Sequence, residues 1–428
     1  MLKRLYKTLV SKKKQTQNKS SPEIIKCQHH SISKKNISKN ALNVIFNLQN
    51  AGYSAYIVGG AVRDLSLGKK PKDFDIATNA TPEQIKNQFK RSRIIGRRFK
   101  IVHVRFGREI IEVTTFRGNH NHLFNNKSSL INTRGMLLRD NVYGTLHDDA
   151  LRRDFTVNAL YYNAEDQTII DYLNAIDDLS KKKLRIIGEA KIRYEEDPVR
   201  MLRAIRLSIK LGFSIHPETA RPIKDLAPLL KQVSNARLFD EVLKLLLSGY
   251  GKDTFIALRK YNIYKQILPQ SESFLKKNND QAKKYILLIR NALSNTDDRI
   301  KKNKPVTPAF LFAVLLWPAL DSASKEFGSN NSVKSNLFQL KVQNILDNQL
   351  STVAIPKRFI SSIKDIWHLQ KKLETFKGKK AIQIINHLRF RAAYDFFILR
   401  AEIDENLKSK SDFWRTIQNN APAKKIKK

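Results

Sequence analysis

Two aspartates separated by one residue are the part of the chain best suited to hold a metal ion. Asp73 and Asp75 flank Phe74 in a β-prone run, 73–77. Because side chains alternate along a strand, both carboxylates are expected on the same face. Carboxylates at this spacing repel each other unless a cation lies between them, and Mg²⁺ bound by carboxylates and substrate phosphates is a frequent arrangement. Alone, the pattern is more typical of a solvated turn, so the metal-site hypothesis depends on the neighbouring residues.

A pair of glycines shortly before the aspartates supplies a feature that a nucleotide could use. Gly59 and Gly60 end a short β-prone run, 56–58, and a helix-like segment carrying Arg63 follows. Glycines at a helix start let backbone amides approach phosphate oxygens, and an arginine adds positive charge there. The order strand, glycine pair, helix, turn and aspartate strand therefore predicts a nucleoside triphosphate on one side and metal ions on the other.

Two further groups of charged residues extend this candidate site. Glu112 lies in a predicted strand, 110–116, that could direct it towards the aspartates as a third carboxylate, and a surface position is the equal alternative. The charged triplet 152–154 lies in a predicted helix, 146–158, where a solvated helix face is the simplest explanation. Both groups become candidates for the site only if the fold brings them to the aspartates.

A second charged string precedes a predicted helix. Asp197 comes directly before Pro198, and Arg200 follows two residues later. An aspartate before a proline at the first helical position is typical of a helix start, so capping alone explains Asp197. A capped helix start is also a rigid platform, on which Asp197 and Arg200 lie one turn apart and can face the same small ligand.

These motifs need a small α/β scaffold, and the chain provides one followed by helices. Strand, helix, strand, helix, strand and strand alternate between residues 55 and 116. Ser38 is a predicted N-cap for a helix at 39–50, and Thr81 is a predicted N-cap for a helix ending near Phe89. Apolar residues at helical spacing then predict helices at 198–210, 217–232, 236–247, 252–261, 281–293, 308–316, 333–348, 358–371 and 378–405.

The composition indicates a polyanionic partner. The 428 residues include 79 Lys and Arg against 39 Asp and Glu, a net charge of +40. An excess of this size favours nucleic acid over a membrane surface, and no apolar run approaches the ~20 residues that span a bilayer. The basic residues 1–20 predict a tail that contacts RNA, with a transit peptide as the alternative. The single cysteine, Cys27, is typical of a reducing compartment, so the chain is expected in the cytoplasm.

The motifs and their order resemble the nucleotidyltransferase superfamily that includes DNA polymerase β. The string Gly-Gly-Ala-Val-Arg-Asp at 59–64 looks like its class II branch, which comprises the bacterial poly(A) polymerases and the CCA-adding enzymes. The run 94–99 looks like the signature that marks the poly(A) polymerases within this branch. Similarity to the same family is evident at 69–81, 109–118 and 195–206, and the resemblance extends from about residue 31 to about residue 320.

The resemblance implies an α+β fold, in which a DNA polymerase β-like palm of a small mixed sheet with helices is followed by an all-α C-terminal region. The implied divisions are a basic N-terminal tail at 1–37, the nucleotidyltransferase palm or head at 38–162, a neck for base recognition at 163–235, a helical RNA-binding body at 236–300, a C-terminal helical domain at 301–415 and a basic tail at 416–428. This last tail is shorter than the basic arm that often ends the family's chains, which leaves processivity open.

The activity that the resemblance implies is template-independent RNA 3′-end polyadenylation, in which AMP passes from ATP to the RNA 3′-hydroxyl by a two-metal mechanism. The implied cofactors are two Mg²⁺ ions, with Mn²⁺ as an alternative. The implied partners are ATP, the 3′ ends of mRNA and other transcripts, and RNA-decay proteins, with no membrane. CCA addition to tRNA is the alternative that uses the same palm. A degenerate palm kept only for RNA binding is disfavoured, because the glycine pair and both carboxylates are present.

The resemblance also implies roles for individual residues. Asp73 and Asp75 would bind metal and act in catalysis with Asp154 of the R-R-D motif, and Glu112 stays the candidate third carboxylate. Because no template is present, base choice would fall to protein groups that offer Watson–Crick-like hydrogen bonds. The implied nucleotide-binding residues are Gly59, Gly60, Arg63, Arg153, Asp197, Arg200 and Arg203, of which Asp197 and Arg200 would read the base.

Overall fold

The structure, a computed structural model, describes residues 21–96, 100–118, 129–131, 137–140, 142–324, 331–376 and 378–420. The chain forms two compact units: the first comprises 1–200 and 212–222, and the second comprises 201–211 and 223–428. The predicted RNA-contacting tail at 1–20, residues 97–99 of the family-like run and the last residues of the C-terminal tail, 421–428, lie outside the described residues.

The first unit is built on a mixed β-sheet. The strands are β1 Glu23–Ile25, β2 Ala55–Val58, β3 Asp75–Thr78, β4 Ser92–Ile95, β5 Ile101–Phe106, β6 Glu109–Thr115, β7 Ser129–Ile131, β8 Leu137–Asp140, β9 Leu160–Tyr162, β10 Ile169–Asp171, β11 Lys183–Leu184 and β12 Ser214–Ile215. Eight of them form one sheet in the order β1-β10-β9-β2-β3-β6-β5-β4, while β7 pairs with β8 and β11 with β12. Within the large sheet β3 and β6 run parallel, and the other described neighbours run antiparallel.

Helices cover this sheet and fix its central strands. They are α1 Lys39–Asn50, α2 Gly60–Ser66, α3 Pro82–Gln88, α4 Leu146–Arg152, α5 Ala175–Ser180, α6 Ala190–Glu196, the start of α7 Val199–Leu211, and α8 Pro217–Ala220, with 3₁₀ turns at Cys27–His29, Lys34–Asn36 and Thr156–Asn158. Ala41, Val44, Ile45 and Leu48 of α1 are fully buried. Ser38 caps α1, and Thr81 with Gln84 forms a capping box at α3. Both predicted N-caps are therefore confirmed.

The described part of the second unit is helical. After most of α7 it contains α9 Ile223–Leu226, α10 Asn235–Leu246, α11 Gly251–Lys260, α12 Tyr264–Ile267, α13 Pro269–Leu275, α14 Asp280–Lys301, α15 Pro308–Leu315, α16 Trp317–Ser324, α17 Asn331–Leu350, α18 Lys357–Thr375, α19 Lys379–Ile385, α20 Phe390–Ala401 and α21 Lys408–Asn420. Two fully buried tryptophans, Trp367 and Trp414, donate their indole N–H groups to backbone carbonyls. None of the helices in the described ranges is both long and apolar enough to cross a membrane.

The strand that carries the aspartate pair is shorter than predicted. The run 73–77 was expected to be one strand, but β3 begins at Asp75, and Asp73 lies before it. Asp75 pairs with Val58, the last residue of β2, and the next residue, Gly59, turns away with φ of 73°. Pairing therefore ends at Asp75, so the predicted start of the strand at Asp73 is wrong, and the sheet register positions Asp75 alone of the two aspartates.

The helix predicted at 146–158 is also shorter than expected: it ends at Arg152. Arg153 is already extended, with φ of −63° and ψ of 168°. Farther along, the N–H of Thr156 donates to the carbonyl of Arg185 at 3.0 Å instead of to a preceding turn. Tertiary pairing thus competes with helical bonds, and it takes Arg153 out of the helix that the local pattern predicts.

Two long predicted helices are interrupted. The helix expected at 217–232 breaks at Pro222, which has no backbone N–H to donate. The helix expected at 378–405 divides into α19 and α20. Between them the N–H of Arg389 donates to the ring of His387 at 3.1 Å, so a side chain takes the place of a helical carbonyl.

Candidate active site

The sheet brings two of the predicted carboxylates together near its centre. Asp75, the first residue of β3, is in register with Val58 of β2 on one side and with Glu112 of β6 on the other. Registered residues on neighbouring strands project to the same face. Glu112, the candidate third carboxylate, therefore lies beside Asp75. Asp73 precedes the strand, and its charge acts on Asp75.

Asp75 carries an electrostatic cost that a cation would relieve. Burial raises its pKa to about 6, the charges of Glu112 and Asp73 add to the rise, and Arg153 opposes it. The described residues contain no ready group of three His, Cys, Asp or Glu side chains that could enclose a metal. Mg²⁺ usually binds through one or two carboxylates and completes its shell with phosphates and water. The carboxylates present therefore fit a divalent metal that a nucleotide helps to hold.

A cleft of about 170 Å³ opens over these carboxylates. Its lining includes two carboxylates, Asp75 and Glu112, which we call the acidic side, and three arginines, Arg117, Arg152 and Arg153, which we call the basic side. Opposite charges in one small cleft suit a bound metal and a polyanionic group at the same time. The cleft is lined by Val58, Asp75, Glu112, Thr114, Arg117, Asp149, Arg152 and Arg153.

Gly59 allows the two sides of the cleft to approach each other. Its φ of 73° and ψ of −134° belong to a region that side chains disfavour. A Cβ added there would lie 3.5 Å from Nη1 of Arg153 and 4.0 Å from Oδ2 of Asp75. The predicted glycine, the predicted arginine and the predicted aspartate therefore meet at one point.

Arg153 is held in place by two residues that the sequence analysis missed. Its Nη2 donates to Oδ2 of Asp149 at 2.9 Å, and its Nε donates to the hydroxyl of Tyr161 at 3.0 Å. The Tyr161 hydroxyl in turn donates to Asp149 at 2.6 Å. Burial alone would lower the pKa of Arg153, but Tyr161 and Asp149 together hold that pKa above its usual value.

One of the two missed residues had a signal in the sequence. Asp149 precedes Arg153 by four residues, a spacing at which oppositely charged side chains meet on a helix. The side chain of Asp149 is only 7% exposed. Tyr161 comes from β9, and nothing in its local sequence links it to Arg153.

Arg63 is a buried residue that links other residues of the site through hydrogen bonds. It is 5% exposed, and it donates to Asp64 through Nε at 2.9 Å and Nη2 at 2.7 Å. Its Nη1 donates to the side-chain oxygen of Asn158, whose Nδ2 donates to Oδ1 of Asp154 at 3.0 Å. The structure therefore links the predicted residues Arg63 and Asp154 through Asn158.

The residues predicted to read the base lie where α6 gives way to α7. Oδ1 of Asp197 accepts the N–H of Val199 at 3.3 Å, which confirms the predicted cap. Nη1 of Arg200 donates to Oε2 of Glu196 at 2.8 Å, and the Arg200 side chain is 12% exposed. Arg203 follows along α7 in the second unit.

Three family models match the chain. They are the poly A polymerase head domain at residues 55–185, a probable RNA and SrmB-binding site of polymerase A at 212–275, and the polymerase A arginine-rich C-terminus at 332–427. Poly(A) polymerase I of Escherichia coli O6:H1 is 46% identical over 403 residues, which cover 93% of this chain and 86% of the relative. The chain belongs to the bacterial poly(A) polymerase I family. Poly(A) polymerase I of Haemophilus influenzae is 45% identical, covering 92% of this chain and 87% of the relative.

The CCA-adding enzymes are more distant relatives. The CCA-adding enzyme of Streptococcus pneumoniae is 39% identical over 214 residues, about half of each chain. Among solved structures, a CCA-adding enzyme in complex with CTP matches with a TM-score of 0.61 at 19% identity, covering 92% of this chain and 86% of that one. A tRNA nucleotidyltransferase complexed with a primer tRNA and an incoming ATP analog matches with a TM-score of 0.60 at 22% identity, covering 88% and 98%. Identities this low show the fold alone.

The comparisons confirm the main predictions from the sequence. The α+β nucleotidyltransferase fold with a helical C-terminal region is confirmed. The chain is a poly(A) polymerase, an enzyme of RNA polyadenylation, and this function is better supported than CCA addition. Its partners are RNA and a nucleotide, and the chemistry of its family requires a divalent metal.

Proposed function

We propose that the first unit transfers AMP from ATP to an RNA 3′-hydroxyl with Asp73 and Asp75 as ligands of two Mg²⁺ ions, for which Mn²⁺ is an alternative. The observation that carries the proposal is the cleft whose lining combines the carboxylates of Asp75 and Glu112 with three arginines. When bound, the metal would neutralise charge on the triphosphate and lower the pKa of the attacking hydroxyl. Glu112 is proposed as a third carboxylate, because it lies beside Asp75 on the neighbouring strand.

The basic side of the cleft is proposed to bind the triphosphate. Arg153 presents its Nη1 next to Gly59, while its other nitrogens are occupied by Asp149 and Tyr161. A guanidinium fixed in this way can meet phosphate oxygens without losing side-chain freedom on binding. Gly60 would let the backbone approach the phosphates.

Arg63 and Asp154 are proposed to act together. Arg63 contributes positive potential beneath the glycine pair, and through Asn158 it orients Asp154 towards the ribose or the metal site. Its low exposure supports a contribution by position and charge more than by direct contact.

Base choice is proposed to rest on Asp197 and Arg200. They lie three residues apart at a helix start that Asp197 itself caps. On this rigid platform the Asp197 carboxylate can accept hydrogen bonds from the base, and the Arg200 guanidinium can donate them. Arg203, farther along the same helix, is proposed to contact phosphate.

The wider setting is proposed from the family. The substrates would be mRNA and other transcripts in the cytoplasm, with RNA-decay proteins as partners in mRNA processing and decay. The divisions of the chain after residues 37, 162, 235, 300 and 415 belong to the same proposal.

The test is the product that the purified full chain makes on two RNAs. We expect ATP to extend an unstructured RNA primer into a long ladder, CTP to be used poorly, and a chelator to stop the reaction until Mg²⁺ is restored. A tRNA lacking its 3′ end serves as the second acceptor. Addition of three nucleotides to the tRNA alone, with CTP used first, would overturn the proposal and favour CCA addition.

A further inference from the structure

A mostly buried arginine without an assigned role lies between two parts of the site. Arg193 is in α6, and its side chain is 12% exposed. Its Nη2 donates to the backbone carbonyls of Arg152 and Arg153, at 2.7 Å each. Its Nη1 donates to Oε2 of Glu196 at 2.8 Å. One side chain therefore holds both the turn that carries Arg153 and the start of the base-choice segment.

The same contacts continue to Arg200. Oε2 of Glu196, which accepts from Arg193, also accepts from Nη1 of Arg200 at 2.8 Å. That Nη1 donates in addition to the backbone carbonyl of Arg193 at 2.7 Å. A continuous chain of hydrogen bonds therefore runs from the residue proposed to read the base to the backbone of the residue proposed to bind the triphosphate.

The position of Arg193 explains how the turn at the end of α4 is fixed. The last carbonyls of a helix have no intrahelical partner and need other donors. Arg193 supplies two of these donors at the point where the chain leaves the helix and Arg153 becomes extended. The direction of Arg153 into the cleft therefore depends on a side chain from another helix.

This arrangement is costly, which argues against a purely stabilising role. Burial and the neighbouring charge of Arg200 lower the pKa of Arg193 to about 10, in spite of Glu196. Its Nε is buried and has no hydrogen-bond partner among the described residues. Buried ionic groups of this kind contribute little net stability compared with apolar packing, and in some proteins their role is to specify one geometry.

We infer that Arg193 is a positioning residue that couples base choice to triphosphate binding, holding Arg200 and Arg153 at one fixed spacing through Glu196 and two backbone carbonyls. The inference rests on the roles proposed above for Arg153 and Arg200. A nucleotide whose base engages Arg200 then meets an Arg153 that is already in place. A nucleotide whose base does not engage it loses alignment of the triphosphate as well.

The decisive variant is Arg193→Lys in the full chain. Lysine keeps the charge, but one ammonium group cannot reproduce the planar fork that reaches two carbonyls and Glu196. We expect the KM for ATP to rise and the preference for ATP over CTP on an unstructured RNA primer to fall, each about tenfold. Because the two backbone carbonyls and Glu196 lose hydrogen bonds in a mostly buried position, the melting temperature should fall as well. A merely structural role would lower the melting temperature and leave the preference for ATP unchanged.

Two further variants keep the test decisive if Arg193→Lys does not fold. Glu196→Gln breaks the same chain at its middle, and it should reduce the preference for ATP in the same direction. Lys191→Gln, on the exposed face of the same helix, is the matched control and should change neither quantity. Combined with Arg200→Ala, Arg193→Lys should reduce the preference no further than Arg200→Ala alone, because both act on one interaction.

The outcomes separate this inference from the proposed function. If Arg200→Ala reduces the preference for ATP while Arg193→Lys and Glu196→Gln leave it unchanged, the coupling role is wrong and the proposed function stands. If Arg200→Ala itself leaves the preference intact, the base-choice assignment fails first, and the inference fails with it.

Discussion

The two sides of the cleft are built on opposite principles. On the acidic side, Asp75 is half-buried next to Glu112, and its pKa is raised to about 6 by burial and neighbouring negative charge. No hydrogen bond from the residues that the structure describes offsets this cost. On the basic side, Arg153 is bonded to Asp149 and Tyr161, and its guanidinium lies 5.2 Å from the Tyr161 ring. The acidic side carries an electrostatic penalty that a cation would relieve. On the basic side, Arg153 is already fixed by hydrogen bonds before any ligand binds.

This difference indicates what each side contributes to catalysis. Carboxylates that repel each other bind a divalent ion more strongly, because the ion removes an existing penalty. An arginine that is already oriented loses little side-chain conformational entropy when it binds phosphate. Substitutions on the acidic side should therefore abolish activity and spare stability, while substitutions on the basic side should reduce both.

The largest expected effect is that of Asp75→Asn. We expect at least about a 100-fold loss of AMP transfer, because the lost charge disables metal binding. Since folding raises the pKa of Asp75, the folded state disfavours the ionised form. At neutral pH without divalent ions, the free energy of unfolding should therefore be unchanged or rise, by up to ~3 kcal/mol. Mg²⁺ should raise the melting temperature of the wild type and not that of the variant.

Asp177→Asn is the control, since Asp177 is a half-exposed aspartate in the same unit, paired with Lys181 at 2.8 Å. It should keep both activity and the response to Mg²⁺. Asp73→Asn should lose AMP transfer to the same degree as Asp75→Asn. Retention of more than about a tenth of the wild-type rate in either variant, equivalent to only ~1.4 kcal/mol of barrier, would show that the metal assignment is wrong.

Asp149→Asn should have the next largest effect. In contrast to Asp75→Asn, it should reduce stability as well as activity. It removes the charged partner of Arg153 from a buried position, which costs about 3 kcal/mol of stability. Because Arg153 loses its orientation, the KM for ATP should rise more than kcat falls. Denaturant unfolding and steady-state kinetics measure the two effects. Asp177→Asn is again the matched control, because its pair has the same four-residue spacing at the surface and is worth about 0.5 kcal/mol or less.

Gly59→Ala tests the point where the two sides meet. An alanine at φ of 73° is strained, so we expect a loss of about 1–3 kcal/mol in the free energy of unfolding. The added Cβ itself has room, since its nearest neighbour lies 3.5 Å away. Gly60→Ala, one residue later and inside α2, should cost little stability, because alanine favours a helix. Equal losses for both variants would contradict the assignment of the effect to the backbone of Gly59.

The contrast between the two sides also separates what the sequence predicts from what it does not. The aspartate pair and the glycine pair can each be recognised within a few residues of sequence, and the structure brings Gly59 and Asp75 together. The support of Arg153 depends on Tyr161, which comes from another strand, so no local pattern announces it. For the same reason the end of α4 at Arg152 was missed, because distant backbone pairing decides it.

Arg63 illustrates the limit in another way. Its place in the Gly-Gly-Ala-Val-Arg-Asp string predicts a residue that faces phosphate, and its type agrees. The structure buries it, with its donors occupied by Asp64 and Asn158. Residue type and spacing identify which residues belong to the site. They do not show which of these residues contact a ligand and which position other residues, because that depends on how the side chains pack.

The smallest expected effect is that of Tyr161→Phe, and it isolates one hydroxyl group on the basic side. The ring of Tyr161 stays beside the Arg153 guanidinium, while the hydrogen bonds to Arg153 at 3.0 Å and Asp149 at 2.6 Å are lost. We expect a loss of about 1 kcal/mol in stability and a rise in the KM for ATP of a few-fold. Tyr162→Phe is the matched control, because the Tyr162 hydroxyl is buried without a partner among the described residues, so its removal should be neutral or stabilising. If the two variants behave alike, the Tyr161 hydroxyl does not orient Arg153, and Asp149 alone completes the basic side.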